Sequence, residues 1–364
     1  MPTAPPNTAS DRPVRWGVLG CAGIAAKVCH GIAETPNAEV VAVASRSMDR
    51  AKAFVEAHAK GAKAYDTYEA LIADPEVQVV YIPVLTSLRA GWVEKAAAAK
   101  KHVLSEKPLA ANYADAEKAV KACRDHQVQF MDDTMFMHHP RLAEMRKAID
   151  AEGFGKVKHV VSCFTIPFGN DPSWASSDIR MKADAEPLGA LGDLGWYCVR
   201  FSLWAFGWEF PEDVSCHYFE TTSEGVPITL HCVMRYSEGR SATFDASFKC
   251  SLRQSVQVVG ENQSLTLDDF VVNQSLDGSS FFVEQGSIAD RALTFPKTSS
   301  EKTMDGCIQH AKVIETFCGI VQRGAMDDEW SKKALDTQKI LYACHLSGTN
   351  GGAWVKPGAD AAMA

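Results

Sequence analysis

The stretch Val14–Val28, VRWGVLGCAGIAAKV, decides the fold. An apolar run from Val14 to Leu19 ends on a glycine, and a helical pattern follows at once. That strand–turn–helix setting is where a glycine fingerprint carries meaning. The dinucleotide pattern GxGxxG/A falls on Gly20-Cys21-Ala22-Gly23-Ile24-Ala25. Its second glycine, the position that lets backbone approach a pyrophosphate, is Ala22, so a slightly different backbone path is expected, with Gly23 compensating. A helix starting near Gly23 would aim its free N–H groups and positive dipole end at phosphates without any special side chain. A tight strand-to-helix turn with no ligand would leave the same local pattern.

Outward from this stretch, short apolar runs alternate with amphipathic segments, the mark of βαβ units and a parallel sheet. The runs are Val14–Leu19, Val40–Ala44, Val79–Ile82, His102–Leu104 and Val128–Met131, separated by segments such as Met48–His58 and Tyr113–His126. After about Gly153 the texture becomes longer β-rich stretches: Val157–Ile166, Val214–Glu220, Ile228–Tyr236, Ser241–Cys250 and Ser255–Val259. Glu238-Gly239 and the segment GENQSLTLDD supply hairpin signals. Helical periodicity returns at Gly192–Ala205, Met304–Gln322 and Ser331–Ser347. These patterns predict an α/β protein. A Rossmann domain with a doubly wound parallel sheet spans 13–135, and an α+β domain with a mainly antiparallel sheet spans 136–364. The Pro/Ala/Thr-rich residues 1–12 are expected to be a disordered tail.

Composition bounds the function. The chain has 364 residues, 46% hydrophobic, which suits two packed cores. A net charge of -8 argues against a generic nucleic-acid or acidic-membrane binder, leaving small molecules as the expected partners. No apolar run reaches spanning length, so a soluble, cytoplasmic protein is expected. The eleven cysteines, among them Cys29, Cys123, Cys198, Cys232 and Cys318, never form CxxC pairs. They are expected to be reduced and mostly buried, with no disulfide framework and no metal site.

Cofactor choice should be legible at the end of the second strand, in VVAVASRSMDR. A carboxylate there would hold the 2′-hydroxyl of NAD, but the chain has Ser45 and Arg46. Arginine offers a planar fork to a 2′-phosphate, so NADP(H) is expected, with Ser45 and Ser47 as extra donors. Ligands of such sheets sit beyond the carboxyl ends of the strands, and Lys107 lies just past His102–Leu104. Pro108 restricts the backbone of Lys107 and so aims its side chain. A salt-bridged surface lysine is the plain alternative. Asp193 and Tyr197, four apart at the start of an apolar helix, share a face. Gly189, Gly192 and Gly195 keep that turn slim. Asp193 as a helix cap and Tyr197 as a packing residue would account for the pair equally well.

The motifs GVLGCAGIA, AVASRS, YEALIADPEVQVVYIP, TSLRAGWVEKAAAAKKHVLSEKP, MDDTMFMHHPR and SDIRMK…LGALGDLGWY together resemble the glucose-fructose oxidoreductase and inositol dehydrogenase (Gfo/Idh/MocA) family. The resemblance covers nearly the whole chain after the tail. It is strongest to the branch of dimeric dihydrodiol dehydrogenases, NADP-linked D-xylose dehydrogenases and their plant-type relatives. It implies a Rossmann domain followed by a domain whose open antiparallel sheet covers the active site and often packs on a partner, hence a homodimer through that sheet. It also implies that Lys107 of the EKP motif is catalytic together with Asp193 and an acid/base at Tyr197, where many members have histidine. Val84 and Leu85 in the loop beside the nicotinamide, Arg89 beyond it, and Glu106 with Lys107 are implied on the cofactor side. Two departures bear on specificity: Arg89 stands where relatives usually have histidine, and the loop reads Pro83-Val84-Leu85-Thr86-Ser87. The resemblance also places His138, Trp174 and Arg180 near the substrate.

These residues imply an NADP(H)-dependent oxidoreductase moving a hydride between the nicotinamide and the hydroxyl or carbonyl carbon of a sugar, trans-diol or dicarbonyl. Two alternatives are a redox sensor that binds NADP(H) without turnover, and a C=C reductase of the biliverdin reductase type. Tyr197, with an ordinary phenol pKa of about 10, suits proton donation to a carbonyl. Acting as a base near neutrality would need that pKa lowered by about 2–3 units, roughly 3–4 kcal/mol, with Lys107 and the positive nicotinamide ring of NADP+ as the sources.

Overall fold

In the computed structural model, residues 12–286 and 296–358 are described, so the expected tail falls almost wholly outside them. The N-terminal unit alternates strand and helix: β1 (Val14–Leu19), α1 (Gly23–Ala33), β2 (Ala38–Ala44), α2 (Met48–His58), β3 (Lys63–Tyr65), α3 (Tyr68–Ala73), β4 (Val79–Ile82), α4 (Thr86–Ala98), β5 (His102–Ser105), α5 (Tyr113–Asp125) and β6 (Phe130–Asp132). All six strands pair in parallel in the order β3-β2-β1-β4-β5-β6, a doubly wound sheet. Strands β1, β4 and β5 are buried almost throughout because helices cover both faces, which is why they read as continuous apolar runs. Strand β3 escapes sequence reading because it is three residues long and none of its side chains is fully buried.

The second unit begins with α6 (Arg141–Ile149), followed by β7 (Val157–Thr165), α7 (Pro172–Ser177) and α8 (Trp196–Ala205). Strands β8 (Asp213–Thr221), β9 (Pro227–Arg235), β10 (Ser241–Ser247), β11 (Arg253–Gly260), β12 (Ser264–Leu267), β13 (Gly278–Gly286) and β14 (Lys297–Asp305) come next, then α9 (Gln309–Arg323) and α10 (Asp328–Thr349). Eight strands form one sheet, β14-β13-β12-β11-β7-β10-β9-β8, antiparallel except for β7 with β10. Both hairpin signals hold: Glu238 and Gly239 turn with positive φ between β9 and β10, and Gly260–Gln263 joins β11 to β12. Met304 and Asp305, expected in a helix, belong to β14 instead, because that strand pairs along its whole length with β13.

One face of the large sheet, including Phe244, Val258 and Leu265, is buried and packs on α8, while the other stays half exposed. Helix α9 returns to the first unit. It docks on α1, where a Cβ at Gly31 would come 2.9 Å from the backbone of His310, and Trp16 meets Phe317 with ring centroids 5.3 Å apart. The expectation that all cysteines are reduced is corrected at one pair. Cys216 and Cys232 lie directly opposite each other on β8 and β9 and are disulfide-bonded; the other nine are free. Residues 16 apart meet only through strand pairing, a contact that sequence spacing does not reveal. Among the described residues no helix is long and apolar enough to cross a membrane, and no cluster of three or more potential metal ligands occurs.

Candidate active site

A cleft of about 1200 Å³ runs over the carboxyl ends of the parallel strands and reaches under α8 and the start of α9. It exceeds the usual range for one small ligand, roughly 300–1,000 Å³, so a cofactor and a substrate can share it. Gly20, Cys21, Ala22, Gly23 and Ile24 line one end, whereas Ala25 is turned into the core. Gly20 has φ +114°, a conformation open to glycine, and an added Cβ would press on the Tyr68 hydroxyl at 3.3 Å. Gly23 faces open space, with nothing within 4 Å of a Cβ placed there. Ala22 keeps an ordinary extended backbone, and no side chain caps α1. The first N–H groups of that helix, uncapped by any side chain, face the cleft beside Gly23, the arrangement that binds phosphate.

Where β2 ends, Ser45 is buried at the cleft wall and Arg46 is exposed beside it. Ser47 caps α2, its hydroxyl accepting from the Arg50 N–H at 3.4 Å, which leaves its own O–H as the donor. Arg50, one turn into α2, lines the cleft as well, so two guanidinium groups without an ion pair among the described residues flank this corner. Sequence reading found only the first. The second is visible only once α2 is known to run along the cleft.

At the other end, β5 delivers Glu106 and Lys107. The Lys107 ammonium donates to Asp193 Oδ1 at 2.8 Å and to the Asp193 backbone carbonyl at 2.7 Å. It lies over the ring of Tyr197, 4.6 Å from the centroid. Asp193 occupies a π turn, Leu191–Gly195, that leads into α8, and such turns often mark functional sites. Asp193 does not cap α8, and its second oxygen accepts from Arg180 Nε at 2.7 Å. The Tyr197 ring is wedged between Phe136 and Phe164, with centroids 6.1 and 5.6 Å away, and its hydroxyl makes no hydrogen bond among the described residues. Gly192 permits this convergence: a Cβ there would come 2.7 Å from Leu188 Cβ and 3.2 Å from Pro108. Its smallness serves the approach of the Lys107–Pro108 loop rather than of a ligand.

Burial and charge set the protonation states. Burial favours a neutral lysine, yet Asp193 and its neighbours hold Lys107 charged well above its ordinary pKa. Burial likewise favours a neutral Asp193, but Lys107 and then Arg180 overcome it and depress its pKa. Tyr197 is raised, first by burial and then by Glu106, Asp193 and Asp133, against the lowering effect of Lys107. Lys107 therefore does not prepare a phenolate in this state, contrary to the expectation for oxidation, because three nearby acids and dehydration outweigh one ammonium. Glu106 is pushed up to about 7, chiefly by burial and by Asp133.

The remaining candidates separate. Arg180 lines the cleft. Val84 and Leu85 line it too, and so does Arg89, whose guanidinium is spent inside the protein on the carbonyls of Val84 (2.7 Å) and Pro108 and on the Thr86 hydroxyl. It braces two loops against each other. His138 turns away from the cleft: its ring stacks on Trp330 at 4.3 Å, Nδ1 meets the Thr316 hydroxyl at 3.1 Å, and burial lowers its pKa to about 3. Trp174 packs on Phe168 and Phe248 and does not line the cleft either. Tyr68, Asp133, Glu186, Gln309 and His310 line it without having been singled out in the sequence.

Known proteins share this architecture. The profile described as "Oxidoreductase family, NAD-binding Rossmann fold" matches residues 14–134, and the "GFO/IDH/MocA C-terminal domain" matches 142–266. The dTDP-3,4-didehydro-2,6-dideoxy-alpha-D-glucose 3-reductase of Actinomadura kijaniata is 37% identical over 338 residues, 93% of this chain and 96% of that protein. D-xylose 1-dehydrogenase (NADP(+)) 2 of Haloferax volcanii is 29% identical, over 93% and 98% of the two chains. The crystal structure of a 3-ketoreductase from Actinomadura kijaniata with NADP and TDP-benzene superimposes with a TM-score of 0.82 at 28% identity, covering 93% of this chain and 98% of that one. With both halves matched and the glycine turn, the EKP lysine and the Asp193–Tyr197 pair converging on one cleft, the chain belongs to the Gfo/Idh/MocA oxidoreductase family.

Proposed function

We propose that this protein is an NADP(H)-dependent oxidoreductase that transfers a hydride between the nicotinamide and a hydroxyl or carbonyl carbon of a sugar, diol or dicarbonyl. The observation that carries the reading is the packing of Lys107, Asp193 and Tyr197 in the same cleft as an uncapped helix N-terminus and the guanidinium of Arg46. Relatives named as sugar reductases and dehydrogenases support the substrate class.

The residues fit the cofactor. The turn at Gly20–Gly23 would hold the pyrophosphate, and Arg46 with Arg50 would take the 2′-phosphate. Bound there, the cofactor supplies the hydride. Tyr197 keeps its proton at neutral pH because its pKa is raised, so it is set to donate to the carbonyl oxygen as negative charge develops. Lys107, fixed by Asp193, presents a positive charge to that same oxygen and lowers the cost of its charging. Arg180 secures the far side of Asp193.

Tyr197→Phe removes the donor and little else. Turnover of NADPH with a responsive carbonyl compound should fall by about 10²–10⁴-fold, with NADPH affinity nearly unchanged; full activity in this variant refutes the assignment. A panel of keto-sugars and dicarbonyls followed by NADPH absorbance also tests the class. Tight NADPH binding with no turnover on any member would favour a sensor instead.

The half-exposed face of the large sheet supports a homodimer. Phe282, Thr266, Gln257, Val161, Thr243 and Val233 stand in one cross-strand row, all incompletely covered. Light scattering should give twice the chain mass, and Val161→Lys should reduce it to the monomer.

A further inference from the structure

Three acids stand at the carboxyl ends of β5 and β6, and only one lacks hydrogen bonds. Glu106 Oε1 accepts from the Tyr81 hydroxyl at 2.7 Å and Oε2 from the Lys107 N–H at 3.2 Å. Asp132 accepts from Arg200 at 2.8 Å and from Thr134. Asp133 is 2% exposed, and neither of its carboxyl oxygens has a hydrogen-bond partner. His310 Nδ1 stands 3.4 Å from Oδ2, an ion-pair distance when the imidazole is protonated, without hydrogen-bond geometry. Beside it the Gln309 side-chain N–H2, also buried, is unpartnered too. All three residues line the cleft. An unsatisfied buried polar group costs about 1–3 kcal/mol, so an arrangement with several of them points to a ligand that completes it.

Their location indicates which ligand. Asp133 follows directly on β6, and its N–H donates to the Ser105 carbonyl at 2.8 Å, so it is rooted in the cofactor-binding sheet. His310 sits at the start of α9, packed against Gly31 of the phosphate-facing helix α1. Were the phosphates held at Gly20–Gly23 and the reacting carbon placed at Tyr197, the ribose and carboxamide of the nicotinamide half would lie along the part of the cleft between them, which Asp133, Gln309 and His310 also line. Those groups carry the hydroxyl and amide donors that a bare carboxyl group lacks.

We propose that Asp133, flanked by His310 and Gln309, accepts hydrogen bonds from the nicotinamide riboside half of the bound cofactor. This rests on the NADP(H) reading above. The test is equilibrium binding of three probes to the full chain: NADPH, 2′-phospho-ADP-ribose, which lacks only the nicotinamide, and 2′,5′-ADP, which lacks that ribose and its phosphate as well. In Asp133→Asn, NADPH affinity should fall about tenfold while 2′,5′-ADP binding changes less than about twofold. A matching loss with 2′-phospho-ADP-ribose assigns the contact to the ribose hydroxyls, and its retention assigns it to the carboxamide. If Asp133→Asn no longer binds 2′,5′-ADP, Asp133→Ser carries the same comparison. Unchanged NADPH affinity, equal losses of NADPH and 2′,5′-ADP in both variants, or a rise confined to the KM of the carbonyl substrate each overturn the proposal. Failure of the unaltered chain to bind NADPH would instead sink the functional reading.

Discussion

Asp193 is held between two cations, Lys107 on one oxygen and Arg180 on the other; removing its charge leaves Arg180 with Asp178 but takes from Lys107 the one carboxylate it is paired with. Burial of Lys107 is then opposed only by the weaker influence of Tyr197 and Glu106, and its pKa falls. Asp193→Asn should lower kcat by about 10–100-fold, equivalent to about 1.4–2.7 kcal/mol of lost transition-state stabilisation. The alkaline limb of the pH–rate profile should move to lower pH; an unmoved limb would mean that Lys107 does not need this partner. Glu106 gives a different signature. Its folded-state pKa of about 7 lies above the ordinary value of 4.5, so between those limits the native protein binds more protons than the unfolded chain. Its contribution to stability is complete below about 4.5 and is lost as pH rises through about 7. Thermal midpoints of Glu106→Gln measured from pH 4.5 to 8 should therefore decline less with pH than those of the unaltered protein.

At the scale of the element, the π turn before α8 gives Asp193 its place. An extra residue in the turn carries the backbone carbonyl and the carboxylate of Asp193 to the same ammonium. Gly192 is the point where this turn meets Pro108. Gly192→Ala forces a methyl against Leu188 and Pro108, an overpacking cost of about 1–3 kcal/mol that is relieved by moving the Lys107 loop away. The expected result is a modest fall in thermal midpoint with a disproportionate loss of kcat. Loss of stability alone, with kcat intact, would show that the turn tolerates the shift. Selectivity belongs to the β2–α2 corner in the same way. Arg46→Asp should cost about tenfold to a hundredfold in NADPH affinity and narrow the gap to NADH, read by titrating both.

Across the whole molecule, one buried cluster joins the units. Arg200 of α8, fully buried, donates to Asp132 of β6 at 2.8 Å and to the Thr337 hydroxyl of α10 at 2.5 Å. It lies three residues from Tyr197, so the helix carrying the proposed proton donor is tied to the sheet carrying Lys107. Arg200→Ala leaves Asp132 buried without its partner and should cost about 3–5 kcal/mol, measured by denaturant unfolding. A cost below about 1 kcal/mol would place the coupling of the units elsewhere.

Much of this was open to reading along the chain. Alternating apolar runs and helices specify a parallel sheet because strands buried on both faces have no other solution, and the glycine turn after β1 follows from local backbone demands. Lys107, Asp193 and Tyr197 stood out because each sits beside a local anomaly: a proline, or glycines at the head of an apolar helix. Other features depend on residues remote in sequence. The Cys216–Cys232 bond needs strand register, and Arg50 needs the course of α2. His310 reaches Asp133 only because α9 crosses back onto α1. His138 carried a family expectation, and packing on Trp330 took it out of the cleft. The sequence by itself determined most of the elements and the parallel character of the first sheet, since these follow from short-range sterics and periodicity, and it singled out Lys107, Asp193 and Tyr197 as candidates through the family resemblance. Tertiary structure alone decided their protonation and which polar atoms were left unpaired, since both depend on dehydration and charge contributed by distant segments of the chain.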